Sequence, residues 1–234
     1  MNASLKPFHL ALVSGLVPIL AVHLAWALNV VSGDAPACIP YWDGCVSVSR
    51  AARSGPGLHL FRALVLPTTV VMAATWLLAA RWLRHYSDPS ERVRRAVAVL
   101  GVTGAAFLVL YATWLGTEGP WYGWLRRYGV IFFFSLTALA QLVLADRLWR
   151  HRQKFHEPGQ GGALRAFVAF TFGEWALGVG SAFKRLFIED PALLDRVENA
   201  VEWNFALFQC LAFVALAYLF RASLFSLRTS VREP

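Results

Sequence analysis

Apolar residues occur along the chain in six long blocks, separated by polar stretches that are rich in Arg, Gly, Pro and Ser. The blocks cover about residues 8–31, 59–83, 96–116, 128–145, 163–183 and 200–220. A helix of about 20 residues, rising about 1.5 Å per residue, spans the hydrocarbon of a bilayer. Helices also satisfy every main-chain N–H and C=O internally, which a bilayer requires. The pattern therefore predicts an all-α polytopic membrane protein, with one six-helix transmembrane domain over residues 1–234.

Composition and charge support this prediction. The chain is 57% hydrophobic and only 15% charged, whereas soluble domains carry about 25% charged residues. The net charge is +8, and the basic residues lie beside the apolar blocks, as expected for topology signals and headgroup contacts. We therefore predict membrane lipids as partners, with a lipid substrate as an open option, and no nucleic acid. The excess of Arg over Lys favours a bacterial source and hence the plasma (inner) membrane.

The distribution of Lys and Arg also predicts an orientation. These residues are more frequent in the N-terminal segment, the second and fourth connections and the tail than in the other connections. Because basic connections stay in the cytoplasm, both termini should be cytoplasmic and residues 32–58 should form an outer loop. Tryptophans near the block ends are expected to form interfacial belts. The outer belt would contain Trp42, Trp121, Trp124 and Trp203, and the inner belt Trp82 and Trp149.

The predicted outer loop contains Cys38 and Cys45, with the turn-forming residues Pro40 and Gly44 between them. Disulfides form and persist outside the cytoplasm, so a structural disulfide is the favoured interpretation. Free thiols and a metal-binding pair are the alternatives. The spacing is not C-x-x-C and no neighbouring pair of histidines completes a zinc site, so we predict neither a metal nor a cofactor.

Two glutamates lie within apolar blocks, where ionisable side chains are costly and are candidates for function. Glu174 is near the middle of the fifth block, on one helical face with Gly178. Glu202 is about one turn inside the sixth block, on one face with Asn199 and Gln209. The two faces can meet if the helices are antiparallel neighbours. Hydrogen bonding between the helices and a ligand or headgroup site are both open interpretations.

The outer boundary carries further candidates for catalysis or for binding a lipid headgroup. The binding candidates there are Asp43, Ser47, Ser49, Arg62, Asn199 and Trp203. A Ser–His–Asp arrangement that uses His59 is conceivable, but no G-x-S-x-G elbow is present. A general acid or base role for His59 or Glu202 on a lipid substrate is an alternative that requires fewer residues in a fixed arrangement. Arg62 is suited to a phosphate group.

Three stretches resemble the Frag/DRAM/Sfk family of membrane proteins. They are "SVSRAARSGP", the following "LHLFR", and "NAVEWNFALFQ" at the start of the sixth block. This family includes damage-regulated autophagy modulators and the CWH-type N-terminal membrane domain of proteins that remodel GPI-anchor lipids. The resemblance marks Ser47, Ser49, Pro56, Phe61, Asn199, Glu202 and Trp203. Arg50 stands where eukaryotic members have an aspartate after the serine element.

The resemblance implies a six-helix fold and suggests a function. We expect the protein to bind a lipid or lipid-anchored substrate at the outer leaflet, with chemical remodelling as an open option, so enzymatic activity is undecided. The alternative is a non-catalytic membrane scaffold or regulator, as in the autophagy-modulator branch. An ion- or proton-coupled carrier is a third hypothesis, which depends only on Glu174 and Glu202.

The orientation can be tested with reporter fusions. A reporter placed after Pro158 or after Pro234 should report a cytoplasmic location, and one placed after Gly55 should report the outside, because of the charge distribution. The opposite pattern would overturn both the orientation and the argument for an oxidising environment around Cys38 and Cys45.

Overall fold

A computed structural model describes residues 6–86, 90–156 and 158–222, which contain eight α-helices and no strand. The helices are α1 (Pro7–Val31), α2 (Pro40–Asp43), α3 (Val48–Ala51), α4 (Gly55–Tyr86), α5 (Glu91–Trp114), α6 (Pro120–Arg150), α7 (Gln160–Phe183) and α8 (Pro191–Ala222). The six long helices, α1 and α4 to α8, are each long and apolar enough to cross a membrane. The predicted all-α, six-span fold is therefore confirmed, and the chain is an integral membrane protein.

Several long helices extend beyond the apolar blocks of the sequence. α6 begins at Pro120 and α8 at Pro191, about two turns before the predicted spans. Proline is favoured at the first position of a helix, where its missing N–H is not needed. The short helices α2 and α3 were not predicted, because they lie in a polar segment with no apolar periodicity.

The six long helices form a ring. Each packs against the next along the chain, and α8 packs against α1. α4 and α8 also meet inside the ring, where Trp76 packs on Phe213 and Trp82 on Phe220, both with ring centroids 5.2 Å apart. We call residues 32–54 the disulfide loop and the end of the bundle that carries it the loop end. Arg228 and Arg232 of the tail, which contribute to the predicted orientation, lie outside the described residues.

The belt prediction is wrong for two of its tryptophans. Trp42, Trp121, Trp124 and Trp149 are exposed, as expected for interfacial side chains. Trp82 and Trp203 are fully buried, at 0% and 1% exposure. Trp82 packs inside the ring on Phe220, and Trp203 packs beneath the disulfide loop, so both belong to the core.

The disulfide loop is held on the bundle by the start of α8. Four side chains of α8 donate hydrogen bonds to main-chain carbonyls of the loop. The pairs are Arg196 to Asp43 (3.0 Å), Asn199 to Gly44 (2.8 Å), Trp203 to Val46 (2.8 Å) and Asn204 to Tyr41 (3.0 Å). Carbonyls in a tight turn lack the partners that a helix ladder supplies, so these donors satisfy groups that would otherwise be costly to cover.

The loop is also closed on itself and attached to α1. Cys38 and Cys45 lie at disulfide distance, with their Cα atoms 6.6 Å apart, as the sequence predicted. The Asn29 side chain at the end of α1 donates to the Ala51 carbonyl and accepts from the Gly57 N–H, both at 2.9 Å. The loop is therefore a fixed part of the bundle at both of its ends.

We predict that Gly44→Ala destabilises the protein. Gly44 has φ +58°, and a Cβ there would collide with the Arg196 carbonyl in α8. Left-handed strain together with this collision should cost about 1–3 kcal/mol and lower the melting temperature in detergent. Gly123→Ala is the matched control, because nothing lies within 4 Å of its added Cβ. Equal melting temperatures for the two variants would contradict the close approach of the loop to α8.

Candidate functional site

A groove opens on the side of the bundle near the loop end, between α6 on one side and α7 and α8 on the other. It has a volume of about 660 Å³. The groove is lined by Ser49, Arg127, Val130, Ile131, Phe134, Ser135, Gly178, Ser181, Glu198, Val201, Glu202 and Phe205. α6 packs far more extensively on α5 than on α7 or α8, which leaves this side of the ring open. We call this feature the lateral groove.

A chain of three hydrogen-bonded groups from three elements begins at the polar part of the lateral groove and leads to Tyr111, which lines the inside of the ring. The Ser49 N–H in α3 donates to Oε1 of Glu202 in α8 at 3.4 Å. The Ser49 hydroxyl is paired with the hydroxyl of Tyr111 in α5 at 3.0 Å. Tyr111 is buried, at 3% exposure. The disulfide loop therefore brings a main-chain donor and a hydroxyl to a carboxyl group that the sequence places far away.

Positive charge gathers around this chain. Arg127 lines the lateral groove, and Arg53, at the end of the disulfide loop, interacts electrostatically with Arg126, Tyr111, Arg50 and Glu202. Burial lowers the pKa of Arg53, and the positive charge of Arg126 lowers it further. The Nε atom of Arg53 is buried and has no hydrogen-bond partner among the described residues. This arrangement favours an anion beside the groove, since an anion would offset the repulsion between neighbouring guanidinium groups.

The deeper wall of the lateral groove is apolar. Val130, Ile131 and Phe134 contribute from α6, and Val201 and Phe205 from α8. Phe134 and Phe205 pack edge to face with centroids 5.6 Å apart. Phe205 also packs against Gly178 of α7, where an added Cβ would lie 3.4 Å from the ring. Polar groups near the loop end and an apolar wall below them match the two parts of a lipid molecule.

A separate internal cavity of about 60 Å³ lies inside the ring. His23, Tyr41, Tyr111 and Trp203 line it near the loop end, and Gln209 and Phe213 line it deeper in the bundle. Phe134 lines both this cavity and the lateral groove, so it separates the two.

The disulfide loop covers the internal cavity through Tyr41. The Tyr41 hydroxyl is paired with Nε2 of His23 at 2.9 Å, while Nδ1 of His23 is paired with the Ile19 carbonyl at 2.7 Å. Because a carbonyl can only accept, Nδ1 carries a proton, and the Tyr41 hydroxyl is then the donor to Nε2 of the neutral imidazole. Burial raises the pKa of Tyr41 to about 12, so this donor keeps its proton at physiological pH.

The structure brings only some of the predicted site residues to the lateral groove. Ser49 and Glu202 line it together. Asn199 and Trp203 are buried next to it and bind the disulfide loop. Ser47 caps α3 by accepting from the Arg50 N–H at 3.2 Å, and Asp43 accepts from the Ile39 N–H at 2.7 Å. These four residues therefore hold the loop in place.

The other predicted site residues lie away from the lateral groove. Arg62 donates to the carbonyls of Ala112, Thr113 and Leu115, which end α5, so its donors are engaged there. His59 is exposed on α4 and is not among the residues that line the groove or the cavity. Glu174 and Gln209 are buried deeper in the bundle.

Sequence reasoning missed the arginines and the tyrosine of the site. Arg126 and Arg127 directly precede the fourth apolar block, where the sequence indicates only topology signals. Arg53 belongs to the loop sequence, and Tyr111 lies in an apolar block without an obvious partner. A pair of adjacent arginines on the less basic side of the membrane was the available signal, because the positive-inside rule does not explain it.

Comparison of the chain with protein-family models, curated proteins and solved structures finds no match. The functional argument therefore depends on the geometry of the groove and on its charges.

A double-mutant cycle tests the hydrogen-bonded chain in the groove. Ser49→Ala and Tyr111→Phe should each lower the free energy of unfolding by about 1 kcal/mol, because each removes one hydroxyl of the same pair. The double variant should then cost less than the sum of the two single variants, as measured by chemical or thermal unfolding in detergent. Strict additivity would show that the two hydroxyls do not interact.

Proposed function

We propose that the protein binds an anionic lipid, or the lipid part of an anchored substrate, in the lateral groove. The observation that carries this proposal is the combination of Arg127, Ser49 and Glu202 above the apolar wall of an open groove. A phosphate headgroup would accept hydrogen bonds from Arg127 and offset the charge of the neighbouring arginines. A hydroxyl or amine of the headgroup would donate to Glu202.

The apolar wall would take an acyl chain. Ile131, at 48% exposure, lies on the open side of α6, so a chain can enter sideways from the bilayer without crossing the polar end of the bundle. Each acyl methylene buried against this wall contributes about 0.8 kcal/mol to the free energy of binding, so a few buried methylenes raise the affinity substantially. This geometry favours a lipid over a soluble ligand.

The side of the membrane is part of the proposal. We assign the loop end to the outside, the groove to the outer leaflet and the protein to a bacterial plasma membrane, with both termini cytoplasmic. The charge distribution of the connections and the paired Cys38 and Cys45 support this assignment. A relationship to the Frag/DRAM/Sfk family belongs to the same proposal and agrees with a six-helix fold.

Binding is better supported than chemistry. Glu202 is the groove carboxyl that contacts the loop, whereas Glu198 is paired with Lys184 at 3.3 Å. His59, the other catalytic candidate, is exposed on α4, away from the groove lining. We therefore propose a lipid-binding protein in which Glu202 accepts a hydrogen bond from the headgroup. If the bound lipid is also chemically remodelled, Glu202 would serve as the general base.

Arg127→Gln should weaken the binding of an anionic lipid about tenfold, since it removes charge-assisted hydrogen bonds to the headgroup. The measurement is native mass spectrometry of purified protein titrated with phosphatidylglycerol or phosphatidylcholine. Arg165→Gln is the matched control, because Arg165 is an exposed arginine near the start of α7, far from the groove.

The proposal expects phosphatidylglycerol to bind more tightly than phosphatidylcholine to the wild type and to Arg165→Gln, with this preference lost in Arg127→Gln. Equal affinities for both lipids in all three proteins would contradict it and favour the non-catalytic scaffold or regulator. An equal loss in both variants would mean that net charge, and not the groove, governs binding.

A further inference from the structure

A second groove opens on the side of the bundle, at the end opposite the disulfide loop. It has a volume of about 940 Å³ and is lined by residues of α5, α6 and α7. At this end α5 begins with Glu91, α6 ends with Arg150 and α7 begins with Gln160. We call this feature the distal groove. Because the lateral groove lies at the loop end, the two grooves face opposite leaflets of a membrane that the bundle spans.

The distal groove is distinct from the lateral groove. No described residue lines both of them. Between them, the Trp175 indole of α7 donates to the Ala138 carbonyl of α6 at 3.3 Å. Along α6, Ala138 lies between Ser135, which lines the lateral groove, and Leu142, which lines the distal groove. This contact joins α6 to α7 between the two grooves, so a ligand of the distal groove requires an argument of its own.

The described acidic side chains at this end of the bundle, Glu91 and Asp146, are already paired. Glu91 forms ion pairs with Arg94 at 2.6 Å and with Arg95 at 3.0 Å. Both carboxylate oxygens of Asp146 accept from Nε of Arg150 at 2.9 Å. Arg94, Arg95 and Arg150 are not among the residues that line the distal groove. Arginines outside the groove therefore engage both carboxylates.

Two further arginines line the distal groove and lack such partners. They are Arg92, which is exposed on α5, and Arg147, which is partly exposed on α6. Within the part of the chain that the structure describes, neither guanidinium group makes a hydrogen bond, and the ion pair of Arg147 with Asp146 is long, at 4.0 Å. Because α5 packs against α6, the two positive charges act on the same groove. They offer a site for two negative charges.

The distal groove continues into the membrane as an apolar wall. Leu142 contributes from α6 and Phe172 from α7. They lie about 12 and about 18 Å from the ends of their helices, close to the half-thickness of the hydrocarbon, about 15 Å. Phe172 is 59% exposed, so the wall faces the lipid. Trp149 lines the charged edge of the groove, with the guanidinium of Arg152 5.4 Å from its ring centroid, as an interfacial tryptophan would.

We propose that the distal groove binds a phospholipid with two phosphate groups, of the cardiolipin class, from the leaflet opposite the lateral groove. Arg92 and Arg147 would each donate to one phosphate, and acyl chains would lie against Phe172. A single phosphate would leave one guanidinium group uncompensated. The larger volume, about 940 Å³ against about 660 Å³ for the lateral groove, suits a lipid with more than two acyl chains. Basic pockets between transmembrane helices hold such headgroups.

The test is photo-crosslinking in phosphatidylcholine vesicles that contain equal small amounts of cardiolipin and phosphatidylglycerol. A benzophenone amino acid replaces Phe172 in the distal groove or Leu16, which is 40% exposed at a similar depth on α1, a helix that does not line the groove. Mass spectrometry of the captured lipids should show about tenfold more cardiolipin than phosphatidylglycerol at Phe172, because cardiolipin engages one more guanidinium group. Leu16 should capture lipids in the proportions of the vesicle.

Substitution of the arginines connects this capture to the groove. Arg92→Gln and Arg147→Gln should each reduce the excess of cardiolipin at Phe172, and the double variant should abolish it. Arg95→Gln is the matched control, because Arg95 is an exposed arginine on α5 that does not line the groove, and it should behave like the wild type. Glu91 keeps a partner in this control, since Arg94 remains.

Equal capture of cardiolipin and phosphatidylglycerol at Phe172 would overturn the proposal. An equal loss of cardiolipin in Arg95→Gln would overturn it as well, because net charge and not the groove would then govern capture. The readout is specific to the distal groove, so it does not depend on the proposed function of the lateral groove, and either proposal can fail while the other holds.

Discussion

The disulfide loop keeps its place because the first turns of α8 bind its main-chain carbonyls. Asn199 and Trp203 are the buried members of this contact, each with a hydrogen bond of 2.8 Å. The carbonyls belong to tight turns around α2 and have no ladder of their own, so losing one donor would leave a buried acceptor unpaired at a cost of about 1–3 kcal/mol. The paired cysteines shorten the free part of the loop, and the α8 contact then fixes its position on the ring.

The lateral groove follows from this contact. With the loop held on α8, the Ser49 N–H reaches Glu202, and the Ser49 hydroxyl reaches Tyr111 on α5. The same loop ends at Arg53, whose charge adds to that of Arg126. Without the loop, Glu202 would lack its main-chain donor, and the groove would lack one polar wall.

The fold could be predicted from the sequence because two constraints determine it. A bilayer requires paired main-chain groups, so each span must be a helix, and the length of an apolar block shows where a span lies. Contacts between the loop and α8 join residues far apart in the chain, which no local pattern reveals. Arg62 looked suited to a phosphate, yet the carbonyls at the end of α5 engage its donors. Glu202 was predicted because a carboxyl in an apolar block is conspicuous, whereas Arg127 was hidden among topology charges.

The central claim is that the lateral groove selects an anionic lipid from the surrounding membrane. Photo-crosslinking in native membranes tests it directly, with a benzophenone amino acid placed at Ile131 in the groove or at Val70, which is exposed on α4. Mass spectrometry of the captured lipids should show enrichment of anionic lipid at Ile131 and the bulk membrane composition at Val70. The bulk composition at both positions would contradict the claim.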